Sequence, residues 1–259
     1  MTDFLDRLAR DAAETIDGGY YEVLRQPSGV HTSLKETILK CTCSPVITEI
    51  KACSPSKGTI RTHFEPGEIA LAMERGGAVG ISVLTEPKSF QGSIVALVET
   101  RKRVKIPVLM KDIIISPKQL YAASKAGANA VLLILALFDR GYCECGVEEM
   151  IAKAHLKGLE VLLEAHSENE FHNAVRSSAD LVGINNRNLG TLQIDLNVTK
   201  NILEKSETYG KTIISESGIE SALDIRFLRE CGANAFLVGS AIMKADDVES
   251  KVRELVTET

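Results

Sequence analysis

Apolar residues in this chain gather into short unbroken runs, half of them ending in a charged or amide side chain, with amphipathic stretches in between. Eight such runs predict strands buried on both faces: Val46–Lys51, Val79–Leu84, Val108–Lys111, Ala130–Leu135, Glu160–Glu164, Leu181–Asn185, Thr212–Ser215 and Ala235–Val238. Between them a helical period predicts Pro66–Arg75, Ile94–Val104, Pro117–Ala126, Val147–Leu156, Glu168–Ser177, Asn197–Tyr209 and Ala222–Arg229, with Val248–Val256 after the last. Three junctions repeat a Gly-Ala step, at Gly77-Ala78, Gly127-Ala128 and Gly232-Ala233, and Ala179 marks a looser fourth. Glycine there predicts helices that end on a left-handed residue before the chain turns into a strand. Eight strands alternating with eight helices predict an α/β fold, a single (β/α)8 barrel of the TIM type. An open doubly wound sheet is the other arrangement this alternation allows. Residues before 46 stand outside the repeat. Asp3–Thr15 and Ser33–Lys40 read as helices, separated by Gly18-Gly19 and a Gln26-Pro27-Ser28-Gly29 turn. Residues 1–45 are therefore expected to be an N-terminal helical extension packed on a catalytic barrel of residues 46–259.

The strand ends carry the candidate chemistry. Period-two alternation sends Glu49 and Lys51 to one side of the first strand, under a Ser54-Pro-Ser-Lys-Gly58 turn. A solvated strand-to-loop junction is the plain alternative for that segment taken alone. The third strand ends in Lys111, the fifth in Glu164, the sixth in Asn185-Asn186-Arg187, the seventh in Ser215-Glu216-Ser217-Gly218 and the eighth in Gly239-Ser240. In a barrel these ends share one face, where catalytic groups collect. Lys51 and Lys111, taken as neighbours, are expected to lower one another's proton affinity, with Glu164 across the barrel as base or as a buried ion-pair partner. Ser217-Gly218 and Gly239-Ser240, each just before a helix, predict a phosphate site.

Composition narrows the partners. A net charge of −5 and a pI near 5.7 argue against a nucleic-acid surface. The longest apolar run, from Ala130 to Phe138, is far short of the roughly 20 residues a membrane span needs. No basic region followed by an apolar core opens the chain, so a cytoplasmic protein is expected. The cysteines fall as Cys41-x-Cys43, Cys53, Cys143-x-Cys145 and Cys231, without zinc-knuckle spacing. They are expected to be reduced thiols, and the two close pairs to lie at opposite ends of the barrel, where they cannot share a metal.

Taken together, the motifs resemble the indole-3-glycerol-phosphate synthase family from about Leu34 to Lys244. The matching segments are Glu49-Ile-Lys51-x-x-Ser54-Pro-Ser-Lys-Gly58, Leu84-Thr-Glu-x-Lys88-x-Phe90-x-Gly92-Ser93, Lys111-Asp112, Glu164-Ala-His166, Ile184-Asn185-x-Arg187-x-Leu189, Glu216-Ser217-Gly218-Ile219 and Val238-Gly239-Ser240. The resemblance implies a lyase of tryptophan biosynthesis. It would close, decarboxylate and dehydrate 1-(2-carboxyphenylamino)-1-deoxyribulose 5-phosphate, with no metal and no organic cofactor. By resemblance Lys111 is the acid for ring closure, Lys51 assists dehydration and holds substrate, and Glu164 is the base. Glu49, Asn185 and Arg187 position the intermediate, while Ser54, Ser217, Gly218, Gly239 and Ser240 contact the ligand and its phosphate. The implied partner is a small phosphorylated substrate, with other tryptophan-pathway enzymes left open. Two positions depart from the family pattern. Met110 and Ile113 flank Lys111-Asp112 where Arg and Phe are usual, which removes an aromatic wall worth about 0.5–1.5 kcal/mol of stacking. Cys53 replaces a small residue. Rival readings are another phosphosugar barrel, such as phosphoribosylanthranilate isomerase, and a barrel that binds a phosphorylated ligand without turning it over.

Overall fold

The computed structural model describes residues 3–22, 32–54, 58–61 and 64–257. Within them eight parallel strands close into a barrel: β1 (Val46–Ile50), β2 (Gly80–Leu84), β3 (Val108–Lys111), β4 (Ala130–Ile134), β5 (Glu160–Ala165), β6 (Leu181–Asn185), β7 (Thr212–Glu216) and β8 (Ala235–Val238). Each strand pairs with its sequence neighbours, and β8 closes on β1 through Ile47 opposite Leu237. Closure rules out the open doubly wound sheet. Alternation along the strands separates two cores. Val108, Met110, Val131, Leu133, Val161 and Leu163 face the helices, whereas Leu109, Leu132, Leu162, Ile214 and Leu237 fill the barrel. Among the described residues, no helix is long and apolar enough to cross a membrane.

The helices begin and end where the local chemistry predicts. Ser116 and Ser221 open capping boxes with Gln119 and Asp224. Gly77, Gly127 and Gly232 adopt φ of 99°, 89° and 104°, the left-handed turn that an L side chain resists. Some boundaries differ from the sequence pattern. The helix expected to run to Tyr209 stops at Leu203, and the apolar run after β4 turns into a short helix, Leu135–Asp139. Two more short elements carried no periodic signal: the helix Ser240–Lys244, and a two-stranded ribbon pairing Cys53–Ser54 with Gly58–Thr59.

The segment before β1 closes both ends of the barrel. The helix Phe4–Asp17 lies across the mouth, where Phe4 and Leu8 reach the central cleft and Arg140 and Lys88 pair with its acidic face. Tyr21 then donates to the buried Asp112 at 3.0 Å, and Tyr20 donates to the Thr85 carbonyl at 2.9 Å. The helix Leu34–Lys40 plugs the opposite end. Its first amides and Ser33 converge on the Glu160 carboxylate, an anion at a helix N-terminus. Leu34 fills the space over Gly80, where a Cβ would lie 2.6 Å from its Cδ1. The expected Gln26–Gly29 turn falls outside the described residues.

Candidate active site

Strand register brings the polar ends to one level. Lys111 lies opposite Leu84, Glu164 opposite Ile134 and Asn185 opposite Glu216. Lys51 Nζ sits 2.5 Å from Glu49 Oε1, and Glu49 Oε2 is 3.4 Å from Lys111 Nζ. Lys111 in turn donates to Glu216 Oε2 at 2.8 Å. The result is an alternating chain of charges, Lys51–Glu49–Lys111–Glu216, across the barrel mouth. The two lysines are not on neighbouring strands as the sequence suggested: β2 lies between β1 and β3, and Glu49 bridges them.

That bridge also overturns the expected depression of Lys111. Burial by itself would lower the Lys111 ammonium, but Glu216, Glu49 and Glu164 outweigh it and hold it above its ordinary value. Glu49, 3% exposed, would be raised by burial; Lys51 and Lys111 reverse this and pull it down to about 2. Glu216 is fully enclosed. Burial pushes it up to about 7, with Glu164 adding and Lys111 opposing. Its room comes from Gly183 on β6, where a Cβ would lie 2.3 Å from Glu216 Oε1.

Glu164 is 1% exposed. Burial would raise it, yet His166, Lys111 and Asn185 together take it down to about 2. Its nearest cation is His166, with Nε2 at 3.1 Å from Oε1, so the ion-pair reading holds with a histidine in place of a lysine. Oε2 has no hydrogen-bond partner among the described residues. Asn185 Oδ1 accepts from the Arg187 amide at 3.0 Å, which fixes the start of the loop that carries Arg187 over the cleft. Asn186 braces the same corner from below. It donates to Ser215 Oγ and the Ser217 carbonyl and accepts from Thr199.

Beside the charged chain lies a recess lined by Lys51, Arg187, Ser217, Gly218, Gly239 and Ser240. Ser217 and Gly218 both take positive φ, 68° and 87°, a turn in which successive amides can face one anion. Gly239 allows close approach: a Cβ would stand 2.4 Å from Glu49 Oε1 and 2.7 Å from Lys51 Nζ. Ser54 belongs to the small ribbon near this recess in sequence, but its side chain falls outside the described residues, as do Pro55, Ser56 and Lys57.

The other half of the cleft is apolar, walled by Phe4, Leu8, Phe90, Ile113, Leu132 and Ile134. Ile113 therefore faces the cleft, whereas Met110 faces the helices and cannot touch a ligand there. Phe4 and Phe90 supply aromatic walls where position 113 has none. Four of these contributors received no role from sequence: Glu216 and His166, which stood only within quoted motifs, and Phe4 and Leu8. Glu216 carried the same signal as Glu164, an apolar strand ending in an inward carboxylate. Phe4 and Leu8 carried none, since nothing local says which end of the barrel a preceding helix will cover. The thiols Cys41 and Cys43 lie 3.3 Å apart before β1, while Cys143 sits against the Ile114 carbonyl beyond β3, at the opposite end. Among the described residues no three His, Cys, Asp or Glu side chains group to hold a metal ion.

The family model for indole-3-glycerol phosphate synthase matches residues 17–255. An indole-3-glycerol phosphate synthase of Neisseria gonorrhoeae is 45% identical over 210 residues, covering 81% of this chain and 78% of its own. Those of Aromatoleum aromaticum and Endomicrobium trichonymphae are 44% and 42% identical, each over 81% of this chain and covering 78% and 79% of their own. Among solved structures, a thiamine phosphate pyrophosphorylase from Pyrococcus furiosus superposes with a TM-score of 0.59 at 16% identity, over 86% of this chain and 96% of its own. An N-acetylmannosamine-6-phosphate 2-epimerase from Clostridium perfringens gives 0.61 at 14%, over 83% and 93%. At those identities the likeness is one of fold.

Proposed function

The chain belongs to the indole-3-glycerol phosphate synthase family, and from that membership we propose how its own residues divide the work of the reaction. The enzyme is a carboxy-lyase of tryptophan biosynthesis acting on a small phosphorylated substrate. In its reaction the aromatic ring carbon attacks the sugar ketone, carbon dioxide leaves, and loss of water yields the indole.

Lys111 is the acid for ring closure. The observation that carries this is its place at the centre of the charge chain, where flanking carboxylates keep it protonated at neutral pH. Of its three protons one is committed to Glu216 and one faces Glu49. The third serves the ketone oxygen as it gains negative charge. Lys51, tied to Glu49 and lining the phosphate recess, holds the substrate and assists departure of the hydroxyl. Glu164 takes the anilinic proton through Oε2. A weak carboxylate base suffices, because ring attack leaves that nitrogen electron-poor and its proton acidic. Glu49, Asn185 and Arg187 hold the intermediate, and Ser54, Ser217, Gly218, Gly239 and Ser240 receive the phosphate. The apolar half of the cleft takes the anthranilate ring. A cytoplasmic setting belongs to the same reading, a compartment that would keep the six cysteines reduced. So do encounters with the pathway enzymes that must supply an arylamino deoxyketose phosphate and consume an indole.

The test is indole fluorescence on adding 1-(2-carboxyphenylamino)-1-deoxyribulose 5-phosphate. The chain has no tryptophan, so emission reports product over a low background. Emission that grows with time and is lost in Lys111→Ala supports the reading. Tight binding without emission would sink it in favour of a barrel that only binds, and turnover of phosphoribosylanthranilate instead would point to an isomerase.

A further inference from the structure

One buried titratable side chain beside the cleft has no part in the chemistry above. His166 follows β5 by one residue, and its side chain is 10% exposed. Its two ring nitrogens face two different carboxylates. Nε2 is 3.1 Å from Glu164 Oε1, and Nδ1 is 3.6 Å from Glu170 Oε2. Glu170 stands in the first turn of the helix Glu168–Ala174 and is itself anchored. Its Oε2 accepts from the His166 amide at 2.9 Å, and its Oε1 accepts from Ser167 Oγ at 3.1 Å. Both are charge contacts, since neither ring nitrogen makes a hydrogen bond among the described residues, and the ring is held by attraction to a carboxylate on each side.

We propose that His166 is the positioning residue for the base: clamped between Glu164 and Glu170, it holds Glu164 Oε1 and leaves Oε2 turned toward the substrate's anilinic proton. The inference rests on the reading of Glu164 as the base. Both orientation and charge support it. A carboxylate on a strand end has rotatable bonds of its own, and the other polar groups near Glu164 are Lys111 and Asn185, which line the cleft, and the enclosed Glu216. Without a partner behind it, the carboxylate would fold toward Lys111, which would occupy the ammonium proton meant for the ketone oxygen and take the base from its place. The clamp directs that attraction away from the cleft. Burial would lower His166, but Glu164 first and Glu170 second raise it to about 9, so the ring carries its charge at neutral pH. Asp139, on the helix Leu135–Asp139, adds a further negative charge beside Glu170.

The experiment pairs a spectroscopic readout with a kinetic one. Nitrogen-15 resonances of the five histidines, followed from pH 5 to 10 in the whole protein, should show one ring doubly protonated to near pH 9. That midpoint should fall by a unit or more in Glu170→Gln, which keeps the acceptor oxygen and removes the charge. The same variant should lose roughly tenfold or more in kcat with KM changed less than twofold, and His166→Gln should lose more. A ring that is neutral at pH 7, or a Glu170→Gln enzyme with wild-type kcat, overturns the clamp even while indole is being formed. If no indole forms, the reading of the reaction falls instead, and the histidine titration still decides whether the clamp exists. Should His166→Gln fail to fold, the Glu170→Gln comparison stands alone, since that carboxylate sits at the partly exposed edge.

Discussion

Gly183→Ala is the sharpest test of the charge chain, because Gly183 needs to touch nothing but a neighbouring side chain. A Cβ at 183 would lie 2.3 Å from Glu216 Oε1, where ordinary contact begins near 3.4 Å. The carboxylate must retreat by about 1 Å. The position has no left-handed φ, and Glu216 Cδ and Leu162 Cδ1 both stand off at 3.4 Å. The strand therefore accepts alanine, and only the far end of one flexible side chain has to move. That movement lengthens the 2.8 Å bond to Lys111 and releases the ammonium toward Glu49. A misplacement of this size costs on the order of 10²-fold in turnover, or about 2.7 kcal/mol of barrier. Initial rates from indole emission should fall accordingly, while thermal unfolding moves by only a few degrees. In a Glu216→Gln background the same alanine should cost little more, since both changes act through one contact. Gly183→Ala with more than half the wild-type kcat would refute the claim that Glu216 sets the position of Lys111. Additive losses in the double variant would mean that alanine acts elsewhere.

Further outcomes follow from the same contacts. Lys111→Ala should lower kcat by roughly 10²–10⁴-fold with binding retained, the range for a lost general acid; near-normal turnover would remove Lys111 from the chemistry. Replacing Ser217 and Ser240 by bulkier apolar residues should raise KM more than it lowers kcat, and a dephosphorylated substrate analogue that binds the wild-type enzyme equally well would dismiss the phosphate recess. Asp112 offers a pH test. Burial, the largest cause, raises it from 3.8 to about 6 despite hydrogen bonds from Thr85, Ile113 and Tyr21. A raised carboxyl favours the fold only while protonated, so its contribution is full below about pH 4 and lost as pH rises through 6. The difference amounts to about 3 kcal/mol. Asp112→Asn should therefore gain stability relative to wild type between pH 4 and 7, read from urea midpoints at each pH. A constant gap across that range would mean that Asp112 ionises normally.

How much of this was legible in the chain can be judged from particular residues. The strands Val108–Lys111, Leu181–Asn185 and Ala235–Val238 are bounded as their apolar runs indicate, because a strand buried on both faces must be apolar throughout and can turn polar only where it ends. The same logic marked Lys111, Glu164 and Asn185, and a count of eight such strands indicated closure. The glycine steps at 77, 127 and 232 were equally local, since a left-handed residue is a property of one backbone position. The helices Leu135–Asp139 and Ser240–Lys244 were not visible, being too short to display a period.

What the sequence determined by itself was thus the set of strands, the end of each that carries polar groups, and through its motifs the family. Only the tertiary structure decided which of those groups meet. Periodicity states which face of a strand a side chain takes, not which other strand end lies across the mouth. So Lys111 was legible as a site residue, while its bonds to Glu216 and Glu49, and with them the sign of its shift, were not. The electrostatics of a buried group depend on the charges within a few ångströms, and here a carboxylate stands between two lysines that sequence alone would have set side by side. For the same reason, the place of Phe4 and Leu8 at the mouth and of Leu34 at the base followed from closure of the barrel, which creates the two ends they cover.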